Sequence, residues 1–468
     1  MKTTSLVLLA LCAGVPMLAQ SPALTITSAS GDSTFTAYGI LDVAVARVAH
    51  DATFSDQYSN TGDPRPTKTA TSAVTGMMNG GLSGDRFGFK GGTAIGGDWK
   101  ALFQLEMGIN IINGNASNGA LSLSQNASAT ATAANVSPNG AYSSDSGVSG
   151  QLFGRAAFFG LGSPTYGTIT GGRNTTFFTD LIPDYDPTGG AQEFSPIGYS
   201  STWAGGGGET DSARLDNSLK YIYKAYGFDA GWIHKFGGVS GSTSSRSADN
   251  LIAGYDGGFW GVQVGYMTVT DNTALSTNTV ASNGTSTVVG GVVTYTVAPT
   301  VATLKATFYD TKATLLMAKY KVGGVWIKGG YQHIEYTNPS NPTQDATLTS
   351  IYGQSVGAWS TTPLTIGGAA QTKKLDVMWL GGNYDVTAKF NVALGWFEIR
   401  QNDFSNGTAT AADKSGNGKF GSIILDYHLS KPFDVYAGYM NSQYNEGLAA
   451  GYPLASNNIF GLGARYSF

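Results

Sequence analysis

The chain has 468 residues and a formal net charge of -4, and only 12% of its residues are charged, about half the roughly 25% of a typical soluble protein. Glycine contributes 65 residues and aromatics 12%, against a usual glycine share near 7%. This balance excludes a collagen-like, coiled-coil or charge-rich disordered chain. It also argues against nucleic-acid binding, which needs a basic excess, and leaves too few charges to solvate a soluble surface of this size.

In chain order, Met1–Gln20 comes first, with Lys2 ahead of the apolar run Leu6–Ala13 and the small Ala19 before Gln20. This pattern predicts a cleaved export signal over 1–19, too short to span a bilayer as a helix. Met17 is larger than a cleavage site prefers, so the cut falls within a few residues of Ala19. Cys12 is the chain's one cysteine; Leu11 before it is too bulky for lipoprotein processing, and the mature chain is expected to hold no disulfide. No later run of 18 apolar residues exists to form a transmembrane helix.

From residue 33 onward the dominant period is two, over stretches of about ten residues separated by Gly/Asn/Ser/Thr loops. Trp99, Ala101, Phe103, Leu105 and Met107 alternate with Lys100, Gln104 and Glu106. Phe460, Leu462, Ala464, Tyr466 and Phe468 share one face of the last strand. The spacing predicts strands near 33–50, 84–94, 97–113, 150–162, 166–173, 213–225, 227–237, 248–257, 259–271, 312–323, 325–337, 371–386, 388–401, 417–430, 433–444 and 458–468. That makes sixteen, an even number. Very short turns (95–96, 323–324, 431–432) contrast with long polar loops at 51–83, 114–149, 174–212, 272–311, 338–370 and 402–416. An all-β antiparallel transmembrane barrel over 20–468 meets each of these observations. A sandwich would not run sixteen strands in one series, and no fixed-period repeat marks a solenoid.

Two chemical motifs match by composition alone. Gly416-Asn-Gly418-Lys-Phe-Gly421 fits a dinucleotide fingerprint but opens a strand rather than a helix. Gly353-Gln-Ser355-Val-Gly357 fits a nucleophile elbow but lies inside a polar loop. The four histidines His50, His234, His333 and His428 show no ligand spacing. No enzyme activity, cofactor or metal is expected.

Several short runs, in order, resemble the general porins of Gram-negative bacteria, of the beta-proteobacterial and neisserial type and the enterobacterial type. They are Ala37-Tyr-Gly-Ile-Leu-Asp42, Asp85-Arg-Phe-Gly-Phe-Lys-Gly91, Ala101-Leu-Phe-Gln-Leu-Glu-Met-Gly108 and Leu152-Phe-Gly-Arg-Ala156. Tyr166-Gly-Thr-Ile-Thr-Gly-Gly-Arg-Asn174, Arg214-Leu-Asp-Asn-Ser-Leu-Lys-Tyr221 and the terminal Tyr466-Ser-Phe468 continue the match. The resemblance implies a sixteen-stranded trimeric barrel in outer-membrane lipid whose third extracellular loop folds inward, and a channel for passive diffusion of small hydrophilic solutes and ions. It places that constriction loop at 174–212, with Asp180 and Asp184 as its acids and Arg86 and Arg173 on the facing wall; Asp186 in the same loop and Arg155 on the strand between the two arginines are further candidates. It also makes Phe460, Tyr466 and Phe468 the C-terminal assembly signal. Where enterobacterial members carry a lysine after the first Tyr-Gly, this chain has Ile40, which leaves ion preference open.

The residues themselves point the same way. Asp180 and Asp184 are four apart, so one helical turn sets them on one face. Arg86 shares a strand face with Gly88 and Lys90, opposite Phe87 and Phe89. Strict alternation would put Arg173 with Ile169, unless the Gly171-Gly172 pair forms a bulge. A substrate-specific channel is the alternative, with Phe177, Phe178, Tyr185 and Phe194 as an aromatic slide or as loop packing. An adhesin or structural anchor built on the long loops is a weaker one.

Overall fold

A computed structural model describes residues 24–50, 71–112, 114, 130–131, 152–198, 203–204, 210–275, 285–289, 292–296, 302–337, 339–341, 350–351, 354–355, 372–404, 414–450 and 453–468. The predicted signal over 1–19 lies outside them, as does most of the expected loop 114–149.

Sixteen strands form the wall. They are β1 (Ser33–Val48), β2 (Arg86–Gly96), β3 (Trp99–Gly108), β4 (Ala156–Ser163), β5 (Gly167–Thr175), β6 (Arg214–Ala225), β7 (Phe228–Lys235) and β8 (Ala248–Asp256). The second half comprises β9 (Trp260–Leu275), β10 (Ala302–Val322), β11 (Val325–Thr337), β12 (Lys373–Thr387), β13 (Phe390–Gln401), β14 (Gly416–Ser430), β15 (Phe433–Glu446) and β16 (Ser456–Ser467). Each pairs antiparallel with the next, and β1 closes the ring by pairing with both β2 and β16. Closure satisfies every strand edge internally, which a hydrocarbon surrounding requires. At the seam Gly39 and Phe468 exchange backbone bonds of 2.9 and 3.0 Å. A Cβ at Gly39 would fall under 3.0 Å from the Phe468 ring, so the terminal aromatic is seated where the first strand has no side chain.

The period-two pattern becomes two chemically distinct faces. In β14, Ile423, Leu425 and Tyr427 are exposed while Phe420, Ser422 and Asp426 are buried. The same outward apolar row runs through Phe159, Trp232, Val264, Leu316, Ile327, Leu380, Leu394 and Leu462. An apolar exterior of this extent suits lipid, not water. Seven connections of two or three residues gather at one end of the barrel, and the longer ones at the other.

Two differences from the sequence reading concern loops. Strand β10 begins at Ala302, ten residues before the expected 312, because its first turns pair with Thr273–Leu275 across register shifts. Val74–Asn79 pairs with β1 ahead of β2, and residues 80–85 then leave the ladder. The Asp42 carboxylate catches that detour, accepting from the backbone N–H groups of Gly81, Leu82 and Ser83 at 3.1, 2.9 and 2.8 Å.

Candidate functional site

Between Thr175 and Arg214 the chain carries the one α-helix among the described residues, α1 (Phe177–Tyr185). Thr176 caps it, its side chain accepting from Thr179 N at 3.4 Å. Seven of its nine residues are buried; the two that are not are Asp180 and Asp184. Helical spacing thus delivers both acids to the one face left uncovered.

Aromatic anchors hold the rest of the helix and the following turns against the buried face of the wall. Phe177 lies over Gly231 of β7, Phe178 over Gly265 of β9 and Phe194 over Gly438 of β15, each so close that a Cβ at the glycine would fall under 3.0 Å from the ring. Phe177 N donates to Asn250 Oδ1 (2.8 Å), Trp379 Nε1 to Tyr185 O (3.1 Å) and Ser422 Oγ to Phe194 O (2.6 Å). Phe177, Phe178, Tyr185 and Phe194 are at most 1% exposed. They pack the segment against the wall and leave no aromatic surface for a sliding solute.

Asp186 follows the helix and has a different task. Its buried carboxylate accepts from Thr188 N (2.8 Å), Thr188 Oγ1 (2.9 Å), Gly190 N (3.2 Å) and Ser195 Oγ (2.5 Å). Burial pushes this carboxyl above its ordinary range, and the Ser195 and Thr188 donors pull it back. The side chain ties the turn 186–195 rather than facing open space.

The basic residues lie along β2 to β6. Arg155 Nε meets Glu106 Oε1 at 2.7 Å. Arg173 donates to Gly154 O (2.7 Å) and pairs with Asp216. Arg86 Nε donates to Gly84 O (3.0 Å) and acts electrostatically on Glu106. The parity question at Arg173 resolves as a bulge: the β5–β6 register shifts between Gly172 and Asn174, with Gly172 at φ +134°.

The structure therefore gathers the three predicted arginines into one group and separates the three acids. Asp180 pairs with Lys220 of β6 and accepts from Thr175 Oγ1 at 2.6 Å. The Asp184 side chain has no hydrogen bond or ion pair among the described residues and acts electrostatically on Lys328. Sequence reasoning missed Arg214, whose Nε donates to Arg155 O at 3.0 Å, and also Glu106, Lys220 and Lys328. Parity could have found Lys220, since Leu219, Tyr221 and Tyr223 are exposed on the other face.

One further cluster joins residues distant in sequence. His428 lies with Asp426 and Asp434, their ligand-type atoms all within 4.8 Å of one another. Arg465 already sits on both carboxylates, at 2.6 Å from Asp434 and 3.5 Å from Asp426, so a guanidinium supplies the positive charge there.

A closed antiparallel barrel with an apolar exterior, charged groups on the other face and a helix pinned across that face defines a transmembrane β-barrel of the channel-forming kind. The Gram-negative porin family model matches residues 4–448, and the chain belongs to that family, whose place is the outer membrane. An outer membrane porin protein of Bordetella pertussis is 28% identical over 223 residues, 47% of this chain and 46% of that relative's length. Among solved structures, the anion-selective porin from Comamonas acidovorans is similar over 93% of this chain and all of that one, at 18% identity and TM-score 0.56. OmpT of Vibrio cholerae is similar over 95% of this chain and all of its own, at 16% identity and TM-score 0.53. At these identities the likeness is one of fold.

Proposed function

We propose that the protein is a passive channel for small hydrophilic solutes and ions, narrowed where helix α1 and the turns that follow it to residue 198 fold into the lumen. The observation that carries this reading is helix α1: all its residues are buried except Asp180 and Asp184, while Arg86, Arg155, Arg173 and Arg214 gather along β2 to β6. Opposite charges about 10 Å apart in water interact by only about 0.4 kcal/mol, and salt screens them over roughly 8 Å. Such a constriction orients a passing solute without holding it. The reading has Asp180 and Asp184 bias the ions and has Asp186 hold the loop that positions them. A substrate-specific channel would need an exposed aromatic track, and the four candidate aromatics are spent on packing.

The protein assembles in this reading as a homotrimer through the charge-free outward face of β2 to β4, where Phe87, Phe89, Phe103 and Phe159 lie together. The outward-facing Phe460 and Tyr466, with Phe468 at the seam, serve as the assembly signal after export. Single-channel recording in a planar bilayer tests the function. Stepwise ohmic conductance supports it, and saturable block by one class of solute would favour the substrate-specific alternative.

A further inference from the structure

Near the short-connection end, four strands bring one row of charged side chains together on the inner face of the wall. Register sets His428 of β14 opposite Asp434 of β15, Asp434 opposite Arg465 of β16, and Arg465 opposite Asp42 of β1. Asp426 stands two residues before His428 and therefore on the same face of β14. Ser422 shares that face, and its hydroxyl donates to Phe194 O, so the row lies on the side against which the segment after α1 packs. Asp426 and His428 meet Asp434 because the turn at Lys431 and Pro432 folds β15 back along β14.

The atoms of this group divide into two sets. Arg465 takes Oδ2 of both acids: its Nε and Nη2 reach Asp434 Oδ2 at 2.9 and 2.6 Å, and Nη2 lies 3.5 Å from Asp426 Oδ2. Its Nη1 donates to Ser83 Oγ at 3.1 Å, which fixes the guanidinium from the other side. The second set is what remains. Asp434 Oδ1 meets His428 Nδ1 at 2.5 Å. Asp426 Oδ1 is buried with no hydrogen-bond partner among the described residues, on a residue only 9% exposed. The His428 side chain, 26% exposed, opens the group to water. Charge is left over as well. Asp42, Asp426 and Asp434 all act on the same guanidinium, so three carboxylates face a single fixed cation.

A buried carboxylate oxygen without a donor is costly, and two carboxylates beside an imidazole are the donor set of a borderline transition ion. The nitrogen disfavours Ca²⁺ and Mg²⁺, which take oxygen ligands, whereas Zn²⁺ accepts His and Asp together at about 2.0–2.2 Å. Tetrahedral donors at such bond lengths stand about 3.4 Å apart. The three donors already lie within 4.8 Å of one another, so side-chain rotations alone bring them to that spacing. We propose that Asp426, Asp434 and His428 form a Zn²⁺ site at the short-connection end of the barrel, with water in the fourth position on the side where His428 is exposed. His428 then carries its one proton on Nε2. Arg465 donates to the outer oxygen of each ligating carboxylate and so orients both. The site uses none of the residues of helix α1 or of the arginine group, and binding there does not depend on the channel reading.

The test uses untagged protein, purified in neutral detergent and stripped with a chelator, then titrated with ZnCl₂ by calorimetry and with Co²⁺ by visible absorption. Wild type should bind Zn²⁺ at a single site per chain, and Co²⁺ there should show the d–d bands of a four-coordinate ion. Asp426→Asn and His428→Asn should each weaken Zn²⁺ binding at least about tenfold and abolish those bands. The triple variant His50→Asn/His234→Asn/His333→Asn leaves the cluster whole and should bind as wild type does. Equal binding by wild type and His428→Asn overturns the proposal. Loss of binding in the triple variant overturns it as well, because the ion would then sit at another histidine. No uptake of Zn²⁺ by the wild type has the same force. Should Asp426→Asn fail to fold, His428→Gln, altered at a partly exposed side chain beside the turn, should show the same loss, and its absence overturns the proposal.

Discussion

Phe194→Ala tests whether the segment after α1 narrows the pore, because this ring secures its far end. Phe194 is fully buried, fits over Gly438 and touches Gly461, where a Cβ would lie 3.2 Å from its Cζ. Truncating a buried Phe costs about 3–5 kcal/mol in transfer and cavity terms. The remaining tethers nearby are the Ser422 bond to Phe194 O and the Glu193 N bond to Gly81 O at 3.1 Å, worth about 1 kcal/mol each. The strand ladders are untouched, so the loss falls on the segment and not on the barrel. At 1.4 kcal/mol per tenfold, the released state gains about two to three orders of magnitude in population. Single-channel recording should then show larger or fluctuating conductance, and liposome swelling should admit larger neutral sugars. Gly438→Val should give the same result by filling the seat from the other side. Unchanged conductance and size limit in a folded barrel of both variants would refute the reasoning.

Asp184→Lys should move the reversal potential in a salt gradient toward anion preference, since it reverses the one helix acid that has no ion pair among the described residues. Glu106→Gln removes the carboxylate between Arg155 and Arg86; it should destabilise the barrel by about 3 kcal/mol, read as a fall in the heat-unfolding midpoint, and also raise anion preference. Asp186→Ala strands the Thr188, Gly190 and Ser195 donors and should expose the segment 186–198 to protease at a cost of at least about 2 kcal/mol, without altering the strand circular-dichroism signal. Gly39→Leu fills the seat of the Phe468 ring and should lower the yield of closed, heat-resistant barrel in refolding.

Much of the fold was legible because a wall between lipid and water imposes strict alternation. The sixteen strands fall where the period of two placed them, most of them within three residues at each end. The exceptions have physical causes. Residues 302–309 alternate, Ala302, Leu304, Ala306 and Phe308 against Thr303, Lys305, Thr307 and Tyr309, but Asp310, Lys312 and Thr314 break that face so the pattern restarts at 312. The stretch joins β10 by pairing with the tail of β9 across register shifts. The detour 80–85 is made by the Asp42 carboxylate capturing three backbone N–H groups from 40 residues away. At the site, the i, i+4 spacing of Asp180 and Asp184 and the glycine pair beside Arg173 were readable signals. The buried role of Asp186 was not, because a knotted acid and an exposed acid look alike in sequence. Arg214 was hidden for a related reason: its importance lies in its nearness to Arg155, and that depends on how β6 enters the wall.

The most direct test compares wild type with Asp180→Asn/Asp184→Asn in a planar bilayer under a salt gradient. The account predicts discrete ohmic steps for both proteins, with the reversal potential of the double variant displaced toward anion preference. Absence of steps, or identical reversal potentials in the two proteins, would contradict it.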